Sequence, residues 1–258
     1  MILFILFIFG LFVGSFLNVL IDRLPRDESF IKGRSYCESC KTQLKWYDLI
    51  PLLSFVTLKG KCRYCRIPLS YYYPIVELTT GIMFAILALF AFNNLPFTIY
   101  HLPFISLFYY LFIASCLIVI FFVDLKYGII PDKITYTAIA VSFAYLLHNT
   151  YYIIPFIASA LGGFLFFLAI FLGTRGRGMG FGDVKFAFLI GLIVGYPNIV
   201  IAFYSAFLTG AIISVILIIL KKKKFKGSTI PFGPFMVIGT FVALFFSKTI
   251  LKITFPFL

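Results

Sequence analysis

The chain has 258 residues, of which 62% are hydrophobic and only 12% charged, with Phe alone occurring 35 times. Soluble domains carry about a quarter charged residues, so this composition excludes a soluble enzyme and a disordered chain and makes the bilayer the solvent. The net charge of +13 does not indicate a nucleic-acid partner, because the Lys and Arg residues sit in the gaps between apolar runs, where the bias of cytoplasmic loops toward Lys and Arg accounts for them.

Crossing ~30 Å of hydrocarbon takes roughly 20 mostly apolar residues. In chain order, the apolar runs are Met1–Ile21, Pro74–Phe92, Phe104–Val123, Ile134–Leu147, Ile153–Gly173, Val184–Gly195, Ile199–Leu220 and Thr229–Phe246. They predict an all-α polytopic membrane protein of about eight transmembrane helices, two of them short. The first run lacks a basic leader region and a small-residue cleavage site, so it reads as a retained helix rather than a signal peptide.

Twenty of the 22 Lys and Arg residues fall in alternate gaps, ten of them between Arg23 and Arg66. That distribution puts these gaps in the cytoplasm, both termini outside, and the protein in the plasma or inner membrane. All nine acidic residues lie at or near the same side, which places any chemistry there. Lys221 to Lys224 form a basic run suited to anchoring against anionic membrane lipid.

Residues 22–73 are the one gap long enough for structure of its own. Cys37-Glu-Ser-Cys40 and Cys62-Arg-Tyr-Cys65, separated by 21 residues, have the spacing of two paired-thiolate knuckles around a tetrahedral zinc. The cytoplasmic side disfavours disulfides; an unmetallated or redox-active set of thiols is the alternative. Cys116, alone in the third run, reads as a packing residue. The domain organisation predicted is therefore a first helix at 1–21, a zinc-binding insert at 22–73 and a helical bundle at 74–258.

Ionisable residues at membrane depth are expensive and point to function. Glu77, Asp124, Asp132 and Asp183 qualify. Asp124 ends the third run and Asp183 opens the sixth, at cytoplasmic ends that neighbouring helices can bring together. Two carboxylates at close range share a proton, so one can activate water while the other polarises a peptide carbonyl. The competing roles are a helix cap at Asp183 and pairing with Lys126 or Lys185. Asp132 reads as the N-cap of the fourth helix, and Glu77 as a carboxylate in the first turn of the second span, where it suits the helix dipole. Ser15, Asn18 and Asp22 share one face of the first helix, placed for hydrogen bonds between spans or for substrate contact. Gly10–Gly14 and Gly191–Gly195 have the spacing that lets helices approach closely.

The ordered set of motifs resembles the type IV prepilin peptidases, GxGD-type aspartyl proteases of the membrane. The resemblance rests on Gly14-Ser15-Phe16-Leu17-Asn18-Val19 with Arg23-Leu24-Pro25, and on the two Cys pairs bracketing Trp46 and Ile50-Pro51-Leu52-Leu53-Ser54. Tyr73-Pro74-Ile75-Val76-Glu77, Asp124 with Pro131-Asp132, Gly180 to Lys185, and Pro231 to Phe235 complete it. It implies cleavage of a short basic leader, after a Gly, from pilin-like precursor proteins, with Asp124 and Asp183 as the catalytic pair. It also implies methylation of the new amino group with S-adenosylmethionine as donor, for which the sequence shows no pocket. An ion- or proton-coupled transporter using the paired carboxylates, and a zinc-stabilised scaffold, are the competing classes; neither accounts for both the carboxylates and the Cys quartet. The fourth and sixth runs are too short to span the hydrocarbon, which predicts a wet depression open to the cytoplasm with the carboxylates on its floor.

Overall fold

The computed structural model describes residues 1–30, 33–94, 103–148, 153–220 and 230–254. Among them, helices account for nearly all regular structure: α1 (Ile2–Arg23), α2 (Leu53–Thr57), α3 (Tyr72–Asn94), α4 (Pro103–Tyr127), α5 (Asp132–His148), α6 (Ile153–Gly173), α7 (Phe181–Val194), α8 (Asn198–Ile219) and α9 (Gly233–Thr254). Short 3-10 turns at Leu24–Arg26 and Trp46–Leu49 complete the set. A chain in hydrocarbon must satisfy its backbone groups internally, and a helix does so within one segment.

Eight of these helices overlie the eight apolar runs. Six of them are long and apolar enough to cross a membrane: α1, α3, α4, α6, α8 and α9. The remaining two, α5 with 17 residues and α7 with 14, fall short of that length. At 1.5 Å per residue they reach only about 26 and 21 Å. The last helix starts at Gly233 rather than Thr229. His101 and the Lys221–Lys224 run lie outside the described residues.

The chain divides into two compact units, residues 1–119 and 120–258. In the first, α1 packs along α3. Gly10 and Gly14 make this contact possible, since a Cβ at either would come within 2.8 Å of the α3 backbone at Gly81 and Glu77. The first helix is thus tied to the second long helix, with the cysteine-bearing insert between them in sequence.

In the second unit α7 is central. Ten of its 14 residues are buried, and it packs against α5, α6, α8 and α9. A helix buried all round cannot be amphipathic, and its sequence is apolar on every face except Asp183 and Lys185. Gly191 lets α6 approach: an added Cβ would lie 2.3 Å from Ala160 Cα. Gly195, the other half of that expected small-residue pair, is instead the C-cap of α7 with φ +66°, where a side chain would be strained. Phe167, Phe203, Phe207 and Phe232 stack from α6, α8 and the segment entering α9, with centroids 4.8 to 6.2 Å apart.

Candidate active site and metal-binding insert

Asp124 lies in the last turn of α4 and Asp183 in the first turn of α7, at 5% and 8% exposure. The two are close enough for the charge of Asp124 to act on Asp183. Each is oriented by a glycine amide. The Gly233 N–H donates to Asp124 Oδ2 at 2.9 Å, and the Gly180 N–H donates to Asp183 Oδ2 at 3.2 Å. Phe232, held among the rings of α6 and α8, seats the strand of backbone that delivers the Gly233 amide. The glycine is required there, because a Cβ on residue 233 would meet Asp124 Oδ2 at 2.6 Å.

Two expected partnerships change. Asp183 is not the N-cap of α7; it is the third helical residue and reaches back to the amide of Gly180, which holds the cap position. Lys185 does not neutralise Asp183. It pairs with Asp132, which is the first residue of α5 and more than half exposed. Asp132 therefore has a surface ion-pair role, and the buried carboxylates are left facing amides and each other. The burial of both leaves little open surface over the pair, less than a carboxylate floor in a wet depression would show.

In the first unit the insert is built as two copies of one turn. The Cys37 N–H donates to Thr42 O and the Lys41 N–H to Cys37 O; likewise the Cys62 N–H donates to Ile67 O and the Arg66 N–H to Cys62 O. Isolated bridges, Tyr36 with Gln43 and Lys61 with Pro68, close the two loops. Lys41 and Arg66, each just after its second Cys, take positive φ of 56° and 61°. The loops face each other so that all four Sγ atoms lie within 4.8 Å of one another, with Cys37 and Cys65 at 3.9 Å. Tetrahedral Zn–S bonds of ~2.3 Å would set the sulfurs about 3.8 Å apart.

The thiols are not equivalent. Hydrogen bonds from Thr42, its hydroxyl first and then its backbone, hold the Cys40 thiol down to about 6. For Cys65 a backbone hydrogen bond from Ile67 pulls downward, but burial and the three neighbouring sulfurs push its thiol up to about 11. Four thiolates this close repel one another unless a cation sits among them, and the donor set fits one tetrahedral metal ion. Asp48 clips the knuckles from the side: Arg63 lies 2.6 Å from Oδ1, and the Tyr64 hydroxyl donates to Oδ2 at 3.0 Å. Burial would raise the Asp48 carboxyl, but the Arg63 hydrogen bond, with those of Lys45 and Tyr64, holds it below its ordinary value.

Glu77 departs from the expected first-turn position. It lies in the second turn of α3, buried at 8% exposure, and accepts the Leu52 N–H at 2.9 Å. Leu52 takes φ +58°, a conformation leucine rarely adopts. The expected contact between spans from the first helix is made by Asn18, whose Nδ2 donates to Tyr73 O at 3.1 Å. The Tyr73 hydroxyl in turn donates to Asp22 Oδ2 at 3.0 Å.

The second unit carries a buried carboxylate pair and the first a four-thiolate insert, so the chain is a multi-pass membrane protein with two chemically distinct centres. It belongs to the type IV leader peptidase family. Residues 111–215 match the model of that family, and residues 8–91 match the bacterial peptidase A24 N-terminal domain. Over 96% of both chains it is 33% identical to a prepilin leader peptidase/N-methyltransferase of Bacillus subtilis. A protein of the same description from Legionella pneumophila is 30% identical over 95% of this chain and 91% of its own. With that of Myxococcus xanthus the identity is 31%, over 83% of this chain and 62% of the relative's length. No solved structure gives a significant match.

Proposed function

We propose that the chain is a membrane aspartyl endopeptidase that removes the short basic leader of type IV prepilin-like precursors at the cytoplasmic face, and that it also methylates the new N-terminus. The observation that carries the peptidase half is the pairing of Asp124 with Asp183, both buried, each fixed by a backbone amide and neither joined to a cation. One carboxylate takes a proton from water as the water oxygen attacks the scissile carbonyl carbon. Its partner, protonated, donates to the carbonyl oxygen. Collapse of the tetrahedral species expels the amine of the mature chain, which takes up the proton the base had received. Neither metal nor covalent intermediate enters this scheme. Because both carboxylates are buried, the substrate segment must displace packing over the pair to reach it.

The four cysteines would hold one zinc ion. Four thiolates leave no position for a reacting water, so the ion folds the insert rather than performing chemistry. S-adenosylmethionine would supply an electrophilic methyl group on a cationic sulfur; the freed α-amine attacks it and loses a proton to water. Retention of the basic leader in the cytoplasm agrees with the Lys and Arg distribution, which puts the insert and the Asp124 end of α4 on that side. The family shared with prepilin leader peptidases favours this reading over a transporter.

The test is direct. The purified chain, in detergent with zinc and methyl donor, is incubated with a pilin-like precursor and the products are weighed. Loss of the leader together with gain of one methyl group supports both halves. An intact precursor overturns the peptidase half, and a cleaved product without the methyl group overturns the other.

A further inference from the structure

The first unit contains a cavity of about 400 Å³ that the peptidase chemistry does not use. It lies among α1, the start of α3 and the insert, and it is within the range of ~300–1,000 Å³ typical of small-molecule sites. Its lining mixes apolar side chains, Val19, Phe55 and Leu58 among them, with an excess of acid: five carboxylates against three arginines. In a chain of net charge +13 with only nine acidic residues, that concentration is unusual.

Two buried polar groups on its wall have capacity to spare. Asn18 is 6% exposed; its amide nitrogen is engaged by Tyr73 O, which leaves Oδ1 as an acceptor with no partner. A buried acceptor left unpaired costs ~1–3 kcal/mol, so it marks a place where something else donates. Glu77 is also buried, and its printed partner is neutral, the Leu52 amide; it forms no ion pair. A carboxylate out of water without a cation is expensive. Both groups therefore suit a ligand that brings positive charge and hydrogen-bond donors. The carboxylates do not converge as a divalent metal would need: among the described residues the four cysteines are the one cluster placed to bind a metal.

We infer that this cavity is the methyl-donor site, with Glu77 facing the cationic part of S-adenosylmethionine, Asn18 Oδ1 accepting from its ammonium or ribose hydroxyls, and the apolar wall taking the adenine. The inference rests on the methyl-transfer reading above and gives it a location. It also supplies a physical link between metal and methylation, since Cys37 and Cys62 line the same cavity: losing the metal would loosen one wall.

Calorimetric titration of the full chain with S-adenosylmethionine and with S-adenosylhomocysteine, which lacks the sulfonium charge, tests it. A variant counts as folded when it keeps its zinc and elutes as the unaltered protein does. Glu77→Gln should weaken S-adenosylmethionine binding by roughly tenfold or more and S-adenosylhomocysteine binding much less, so that discrimination between the two falls. Asn18→Leu should weaken both alike. A folded Glu77→Gln chain with unchanged affinity and unchanged discrimination overturns the assignment. Should neither variant fold, an azido-adenine donor analogue photolysed on the unaltered chain decides. Labelled peptides from residues 15–77 support the site, and label confined elsewhere overturns it. Displacement of that label by a basic leader peptide, and not by unlabelled donor, would give the cavity to the substrate and also overturn it. An unaltered chain that binds the donor with the label elsewhere leaves the methyltransferase reading standing; one that binds no donor takes both down.

Discussion

The two units hold their polar groups in different ways. In the second, Asp124 and Asp183 are positioned by helix packing alone: a wholly buried helix, a ring cluster and two glycine amides fix two carboxylates with no metal and no long loop. In the first, a segment with little core of its own is positioned by two copies of a cysteine turn, and its polar groups surround a cavity instead of meeting each other. A site made by close-packed helices is sensitive to a single methyl group. One made by a metal-closed insert is sensitive to its ligands and tolerant elsewhere. The contrast predicts that damage to either region should leave much of the other's activity in place.

The largest effect should come from the carboxylate pair. Asp124→Asn and Asp183→Asn should each lower leader cleavage by about 10²- to 10⁴-fold, with zinc content unchanged, as followed by product mass and metal analysis. Survival of cleavage in either would show that another carboxylate does the work. Next, Cys40→Ser should bring bound zinc from one per chain to near none and depress methyl transfer at least as far as cleavage. A full metal complement in that variant would remove the quartet as the site. Gly233→Ala sharpens the contrast further. Its Cβ cannot share space with Asp124 Oδ2, and a misplacement of about 1 Å can cost ~10²-fold, so cleavage should fall while donor binding holds. The smallest effect belongs to Asp132→Asn, which breaks a partly exposed ion pair with Lys185 and should change cleavage by no more than about fivefold. A dead Asp132→Asn would mean that the wrong carboxylates have been paired.

Much of this was legible in the sequence because it is local. Apolar runs report helices, and Cys-x-x-Cys spacing reports a knuckle, since both depend on residues a few positions apart. The ends of α4 and α7 could be matched because a carboxylate stands out in an apolar helix. What sequence could not show depends on contacts across long separations. The amide that holds Asp124 comes from Gly233, 109 residues away, and nothing in a Pro-Phe-Gly-Pro segment says which side chain its N–H meets. Glu77 was misplaced for the same reason: helix periodicity suggests a dipole contact, while its partner is Leu52, in a backbone conformation that residue type does not predict. Asp183 and Lys185 looked like a local pair, but the fold gives Lys185 to Asp132. The cavity is legible only in part, through the shared face of Ser15, Asn18 and Asp22 on α1; its other walls come from the insert and α3.

The most direct test of two separable centres uses one variant and two substrates. Asp183→Asn, purified with its zinc and supplied with methyl donor, is given an intact pilin-like precursor and, separately, a peptide that already lacks its leader. The account predicts that the precursor stays uncut while the leaderless peptide gains one methyl group at a rate near that of the unaltered chain. Loss of both activities in a zinc-replete, folded variant would contradict it and place cleavage and methylation in a single centre.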